Sequence, residues 1–257
     1  MPLCADTPLS LGMWILLAAT GAVAGLVDAI AGGGGLLTVP VLLGVGLPPV
    51  AALGTNKLQA SFGSATAAWN YWRAGWIGLR ESAAGVVWTA LGSALGALAV
   101  GRLSESVLRK SIPLLLLGAV AFLVLRPRFG TTEGRPLLRR GLFHGLLGLA
   151  LGGYDGFFGP GVGALWTFAY LALQGLNLTQ ATAHTKLMNF TSNFIALSIF
   201  ASRGTVCLGP GLVMGLGQLV GARIGARLVI YRQARLIRPV FIVMVMAVAL
   251  KLLWTAS

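Results

Sequence analysis

Apolar runs recur along this chain at nearly even intervals, and they constrain its fold more than any other feature. They fall at residues 11–31, 35–46, 50–71, 80–101 and 107–125, then at 138–158, 161–174, 178–202, 206–230 and 237–255. A helix needs about 20 predominantly apolar residues to cross a bilayer, so most of these runs are long enough to span one. Charged residues make up only 10% of the chain and hydrophobic ones 56%, whereas soluble domains carry about 25% charged residues. A water-soluble core cannot hold that excess of apolar side chains. The 257 residues are used up by the spans and their connections, which leaves no room for a separate soluble domain. The predicted fold is an all-α polytopic membrane protein.

The runs divide five and five about a polar stretch, giving a first repeat at 1–125, a linker at 126–140 and a second repeat at 141–257. In each half the second run is only 12 to 14 residues long, too short for about 30 Å of hydrocarbon at 1.5 Å per residue. It therefore reads as a broken span or a re-entrant helix. The halves are related in sequence: residues 25–36 lie over 152–163, which places Asp28 on Asp155 and Gly32 on Gly159. After a shift of two residues, Thr55-Asn56-Lys57-Leu58 lies over His184-Thr185-Lys186-Leu187. If all five segments cross, the halves have opposite orientation, which is the inverted-repeat pattern of many secondary transporters.

The net charge of +13 does not point to nucleic acid, because the basic residues sit between apolar runs rather than along one solvated face. They act as topology signals and contacts for anionic lipid. If all ten segments cross, the loops after the third, fifth and ninth share a side and carry ten arginines, from Arg73 to Arg238, while Arg102, Arg109, Lys110 and Arg203 lie opposite. The linker is then cytoplasmic and both termini are outside; re-entrant short segments would nearly erase this bias. Trp69, Trp72 and Trp76 mark a membrane interface. Cys4 and Cys207 form no Cys-x-x-Cys motif and are expected to be free thiols. The stretch before the first run holds Asp6 but no Lys or Arg, so that run is expected to stay in the mature protein rather than act as a leader.

Only two acidic residues, Asp28 and Asp155, lie inside apolar runs, and only two lysines, Lys57 and Lys186, lie well within spans. Both are pairs of repeat mates. A charge at the bilayer centre costs at least about 2.5 kcal/mol, so each needs a partner or a wet cavity. The four charges balance. In one reading the lysines attract an anion while Asp28 and Asp155 hold them in place or carry a coupling proton. In the other, Asp28–Lys57 and Asp155–Lys186 are structural pairs within each half. Gly32 to Gly35 and Gly159-Pro160-Gly161 break the apolar runs just before the short segments. Helix starts of this kind offer free N–H groups and the positive dipole end to an anion, although close helix crossing also calls for glycine. The candidate substrate-binding residues are Gly33, Gly34, Thr55, Asn56 and Lys57 with Gly161, His184, Thr185, Lys186 and Asn189. Their hydroxyl and amide donors suit the oxygens of an oxyanion and would equally serve helix-to-helix hydrogen bonds. His184 could relay protons or act as a packed donor.

The glycine-rich stretch Gly25–Pro40, followed by Leu47-Pro48-Pro49 and Ala52-Leu53-Gly54-Thr55-Asn56-Lys57, resembles the TauE/SafE family of bacterial sulfite exporters. Length, two-repeat layout and the second glycine motif extend the resemblance over nearly the whole chain. It implies a multi-pass inner-membrane secondary transporter that exports sulfite, sulfoacetate or other organosulfonates, with proton coupling a hypothesis resting on Asp28 and Asp155. An anion channel is the alternative. Catalysis is not expected: no nucleotide motif, nucleophile or metal cluster is present, and His144 and His184 lie in different segments. No cofactor is expected. The expected partners are the anion and membrane lipid, with a homodimer admissible and nucleic acid not.

Overall fold

The computed structural model describes residues 9–104, 106–108 and 134–232. Their long helices are α1 (Leu11–Ala31), α2 (Gly34–Gly44), α3 (Pro49–Arg73), α4 (Leu79–Val100), α5 (Arg140–Phe157), α6 (Val162–Gln174), α7 (Leu178–Ser202) and α8 (Leu208–Arg232). No strand occurs among the described residues. The predicted fifth and tenth segments lie outside those residues except for 107–108, as does most of the linker.

The molecule is turned inside out relative to a soluble protein. Leu91, Leu95, Leu98, Leu212, Leu216, Val220 and Ile224 are exposed, while Asn56, Lys57, Gln59, Lys186 and Ser192 are buried. Among the described residues, three helices, α1, α4 and α8, are long and apolar enough to cross a membrane. Helices α3 and α7 have 25 residues each, about 37 Å at 1.5 Å per residue. Their lower hydropathy comes from the polar residues they turn inward. Apart from packing, local signals also fix α7: Asn177 and Gln180 form a reciprocal capping box at its start. Asn177→Ala is expected to cost about 1 kcal/mol, read as a lowered unfolding temperature in detergent.

Both short segments are short helices, of 11 and 13 residues, and each folds back beside the first helix of its half. Leu42, Val45 and Leu47 at the far end of α2 pack with Leu17 of α1, Ala51 of α3 and Cys207 before α8. At the far end of α6, Leu173 O accepts from Leu137 N at 2.9 Å and Gly175 O from Gly134 N at 2.8 Å, just ahead of α5. The short helices thus return the chain to the end from which it came, so for sidedness they count as crossings. One end of the molecule carries Arg102 and Arg203, and the other carries Arg73, Arg80, Arg135, Arg139, Arg140 and Arg227. Among the described residues, the positive excess therefore gathers at one end.

The halves interlock. α1 packs along α8 and α4 along α5, so the first helix of each half lies against the fourth of the other. Glycines make these seams close enough that no side chain fits: a Cβ at Gly221 of α8 would lie 1.9 Å from Ala22 O of α1, and one at Gly96 of α4 would lie 2.0 Å from Gly153 O of α5. The seams match: Gly225 of α8, the repeat mate of Gly96, would place a Cβ 2.6 Å from Leu26 O of α1, and here glycine does serve helix packing.

One expectation is overturned. Cys207 is disulfide-bonded rather than a free thiol; the only other cysteine of the sequence, Cys4, lies outside the described residues. Two cysteines without a spacing motif give a sequence reading nothing from which to infer a bridge.

Candidate functional site

The two glycine breaks meet. α1 ends at Ala31, and Gly32 and Gly33 turn the chain at φ 70° and 153° before α2 starts. In the second half Gly159 and Gly161 turn at φ 101° and 85° ahead of α6. Glycine is required because side chains rarely adopt such angles. The breaks touch backbone to backbone: a Cβ at Gly32 would lie 2.6 Å from Gly163 C, and one at Gly35 would lie 3.0 Å from Pro160 Cα.

The four buried charges surround this meeting point, but their pairing corrects the sequence reading. Lys57 Nζ donates to Asp155 Oδ1 at 2.7 Å, and Lys186 Nζ donates to Asp28 Oδ2 at 3.1 Å. Both pairs cross between halves, in place of Asp28–Lys57 and Asp155–Lys186 within them. The cause is the interlock, which brings the third helix of each half up to the break of the other. Both lysine side chains and the Asp155 side chain are almost wholly buried, while Asp28 keeps 14% exposure.

The carboxylates are held differently. Asp28 Oδ1 accepts from Gly33 N at 3.0 Å and Gly34 N at 3.2 Å. It caps the start of α2, so a carboxylate of the chain itself occupies the position expected for a substrate anion and stands in for its oxygens. Asp155 makes no such cap; its second oxygen accepts from Ser192 Oγ, and Lys57 Nζ also donates to its main-chain carbonyl.

A cavity of about 30 Å³ lies between the breaks, lined by Asp28, Gly33, Asn56, Asp155, Gly161 and Asn189 together with Asn193 and Gln218. Six of the residues expected at a site are brought together there. Asn56 Oδ1 accepts from Thr38 Oγ1 at 2.6 Å and from Gln59 Nε2 at 2.7 Å, which leaves the amide donors of Asn56 for the cavity. Asn189 Oδ1 and Gln218 Oε1 are buried and have no hydrogen-bond partner. Such groups cost free energy unless something enters to bond them. The volume accommodates about one water, not an anion of several heavy atoms.

Other expected residues lie elsewhere. Gly34 gives its N–H to Asp28. Thr55 accepts from Cys207 N at 2.9 Å, on the side of α3 facing the α7–α8 connection. Thr185 hydrogen-bonds Thr167 at 3.1 Å. His184 pairs its Nδ1 with Ser82 Oγ at 3.1 Å in a separate small cavity beside Tyr170 and His144. Conversely, Ser192 and Gln218 reach the site without having been expected there. Gln218 was detectable in principle, as the one side-chain amide in the apolar run 206–230.

The comparisons with known proteins agree in kind. A family model described as "Sulfite exporter TauE/SafE" matches residues 17–252. The chain is 40% identical over 239 residues to a "Probable membrane transporter protein" of Haemophilus influenzae, covering 93% of this chain and 94% of that one. It is 41% identical over 249 residues to the "Probable membrane transporter protein YfcA" of Escherichia coli K12, with 96% and 91% covered. It is 39% identical over 231 residues to "Probable membrane transporter protein ORF9" of a Sinorhizobium species, with 90% and 88% covered. No solved structure matches.

Proposed function

The chain belongs to the TauE/SafE family of membrane transporters, and on that premise we propose that it exports a small sulfur-containing oxyanion, such as sulfite, sulfoacetate or another organosulfonate, by secondary active transport across the inner membrane. The observation that carries this reading is the crossed quartet of Lys57–Asp155 and Lys186–Asp28 around the meeting point of two broken helices. Two buried ammonium groups with hydroxyl and amide donors nearby match the several acceptor oxygens of such an anion. Because each ion pair bridges the halves, parting the halves strips both lysines of their carboxylates. An oxyanion that takes over the lysines removes that cost, so the loaded site opens and the empty one closes.

The reciprocal packing of α1 on α8 and α4 on α5 supports two inverted repeats, with alternating access arising from one half sliding on the other. The arginine-rich end is then cytoplasmic. Its positive potential concentrates anions on the loading side. The quartet is neutral when empty. A monoanion on the lysines with one proton on Asp28 or Asp155 keeps it neutral, so the load is an anion together with a proton. A channel built on the same charges would pass electrodiffusive current through the reconstituted protein, and none is expected.

Binding of sulfite, sulfoacetate, sulfate and acetate to the purified protein tests this reading. Sulfonate-selective binding that disappears in both Lys57→Ala and Lys186→Ala is expected; selective binding retained in both would move the site elsewhere. For coupling, Asp28→Asn with Asp155→Asn is expected to abolish the pH dependence of transport. An unchanged pH profile would remove the proton from the load.

A further inference from the structure

A second cavity, of about 770 Å³, opens at the arginine-rich end between α3, α7 and α8. It is distinct from the central one. On α3 the central cavity takes Asn56 and Ala60, while the cleft takes Ala65, Trp69 and Arg73, about half a turn around the helix at 100° per residue. Trp69 and Trp72 are 57% and 40% exposed, and Phe190 and Leu219 complete an apolar wall. Leu219, Arg223 and Arg227 recur every four residues along one face of α8, beside the exposed stripe of Leu216, Val220, Ile224 and Leu228. The cleft thus borders the surface of α8 that faces lipid.

Its charge is unmatched. The candidate span in α8 runs from Leu208 to Tyr231, so Arg223 lies about 12 Å along the helix from its end. A cation at that depth is costly unless it is paired or snorkels to water. Among the described residues the ion pairs are Lys57–Asp155, Lys186–Asp28 and Arg140–Glu81, and none reaches Arg73, Arg223 or Arg227. A ligand that fits must carry negative charge at one end and apolar chains at the other.

We infer that this cleft holds an anionic phospholipid, with its phosphate on Arg73, Arg223 and Arg227 and its acyl chains against Trp69, Phe190 and Leu219. A soluble anion would satisfy the guanidinium groups but leave the aromatic wall without a role. The inference is independent of which anion the central site carries.

Native mass spectrometry of the full-length protein in detergent, with phosphatidylglycerol and phosphatidylcholine of identical chains, tests it. Phosphatidylglycerol is expected to be retained at least about 10-fold better, and Arg223→Gln with Arg227→Gln to weaken that retention roughly 10- to 30-fold at unchanged helicity. Should the double variant fail to fold, Arg73→Gln at the exposed end of α3 is expected to weaken retention roughly 5-fold on its own. Equal retention of the two lipids, or phosphatidylglycerol retention unchanged in the folded variants, overturns the assignment. So does displacement of the lipid by millimolar inorganic phosphate, which would make the cleft a soluble-anion site.

Discussion

Lys57→Met is expected to destabilise the protein by about 3–5 kcal/mol, because it leaves the Asp155 carboxylate buried without its cation. Combining it with Asp155→Leu is expected to restore most of the loss, since a buried pair exchanged for apolar residues of similar volume is often neutral or stabilising. Transport is expected to vanish in the single and double variants alike. The other pair behaves differently. Lys186→Met with Asp28→Leu is expected to recover only partly, because Asp28 also accepts from Gly33 N and Gly34 N, and these donors then lose their partner. Unfolding in detergent and sulfite efflux from proteoliposomes give the two readouts. A Lys57→Met/Asp155→Leu protein that still transports would reduce that pair to a structural clasp.

Gly32→Ala is expected to cost at least about 3 kcal/mol and to leave little folded protein. Two effects add: the residue sits at φ 70° and its Cβ would lie 2.6 Å from Gly163 C. A positive φ costs a side-chain-bearing residue at least the roughly 1–2 kcal/mol of the left-handed helical region, and overpacking adds about 1–3 kcal/mol. Gly75 separates the two, because it has φ 80° with nothing within 4 Å of an added Cβ. Gly75→Ala should therefore show only the conformational cost of about 1–2 kcal/mol. Equal losses in folded yield and unfolding temperature would mean that the contact between the breaks adds nothing to their stability.

Much of this architecture is legible in the sequence. The apolar runs place the ends of the described helices to within a few residues, and the 12- and 14-residue runs announce the two short helices. The charge quartet is legible too, since a buried charge must be matched wherever it lies. Which aspartate meets which lysine is not: pairing within halves and pairing across them satisfy the same charge balance, and only the interlock of α1 with α8 and of α4 with α5 decides. Adjacency in sequence misled in a definite way. Thr55, Asn56 and Lys57 read as one motif, but consecutive helical residues point about 100° apart, so Asn56 faces the cavity while Thr55 faces Cys207. The same phase separates His184 and Thr185 from Lys186. Gln218 went unexpected because one amide in a span has several uses in helix packing.

The crossed pairing also bears on how the protein is made. Asp28 enters the membrane early in synthesis, yet its cation lies 158 residues later, at Lys186, and Lys57 must await Asp155 in the same way. The nascent first half therefore can form neither native pair. Asp28 and Lys57 balance in charge, but each has to wait for the second half to meet its final partner. Two separately expressed half-chains should each be degraded when alone and rescue one another when produced together. A single-repeat ancestor with the same residues would form the crossed pairs only as a dimer, the aspartate of each copy meeting the lysine of the other.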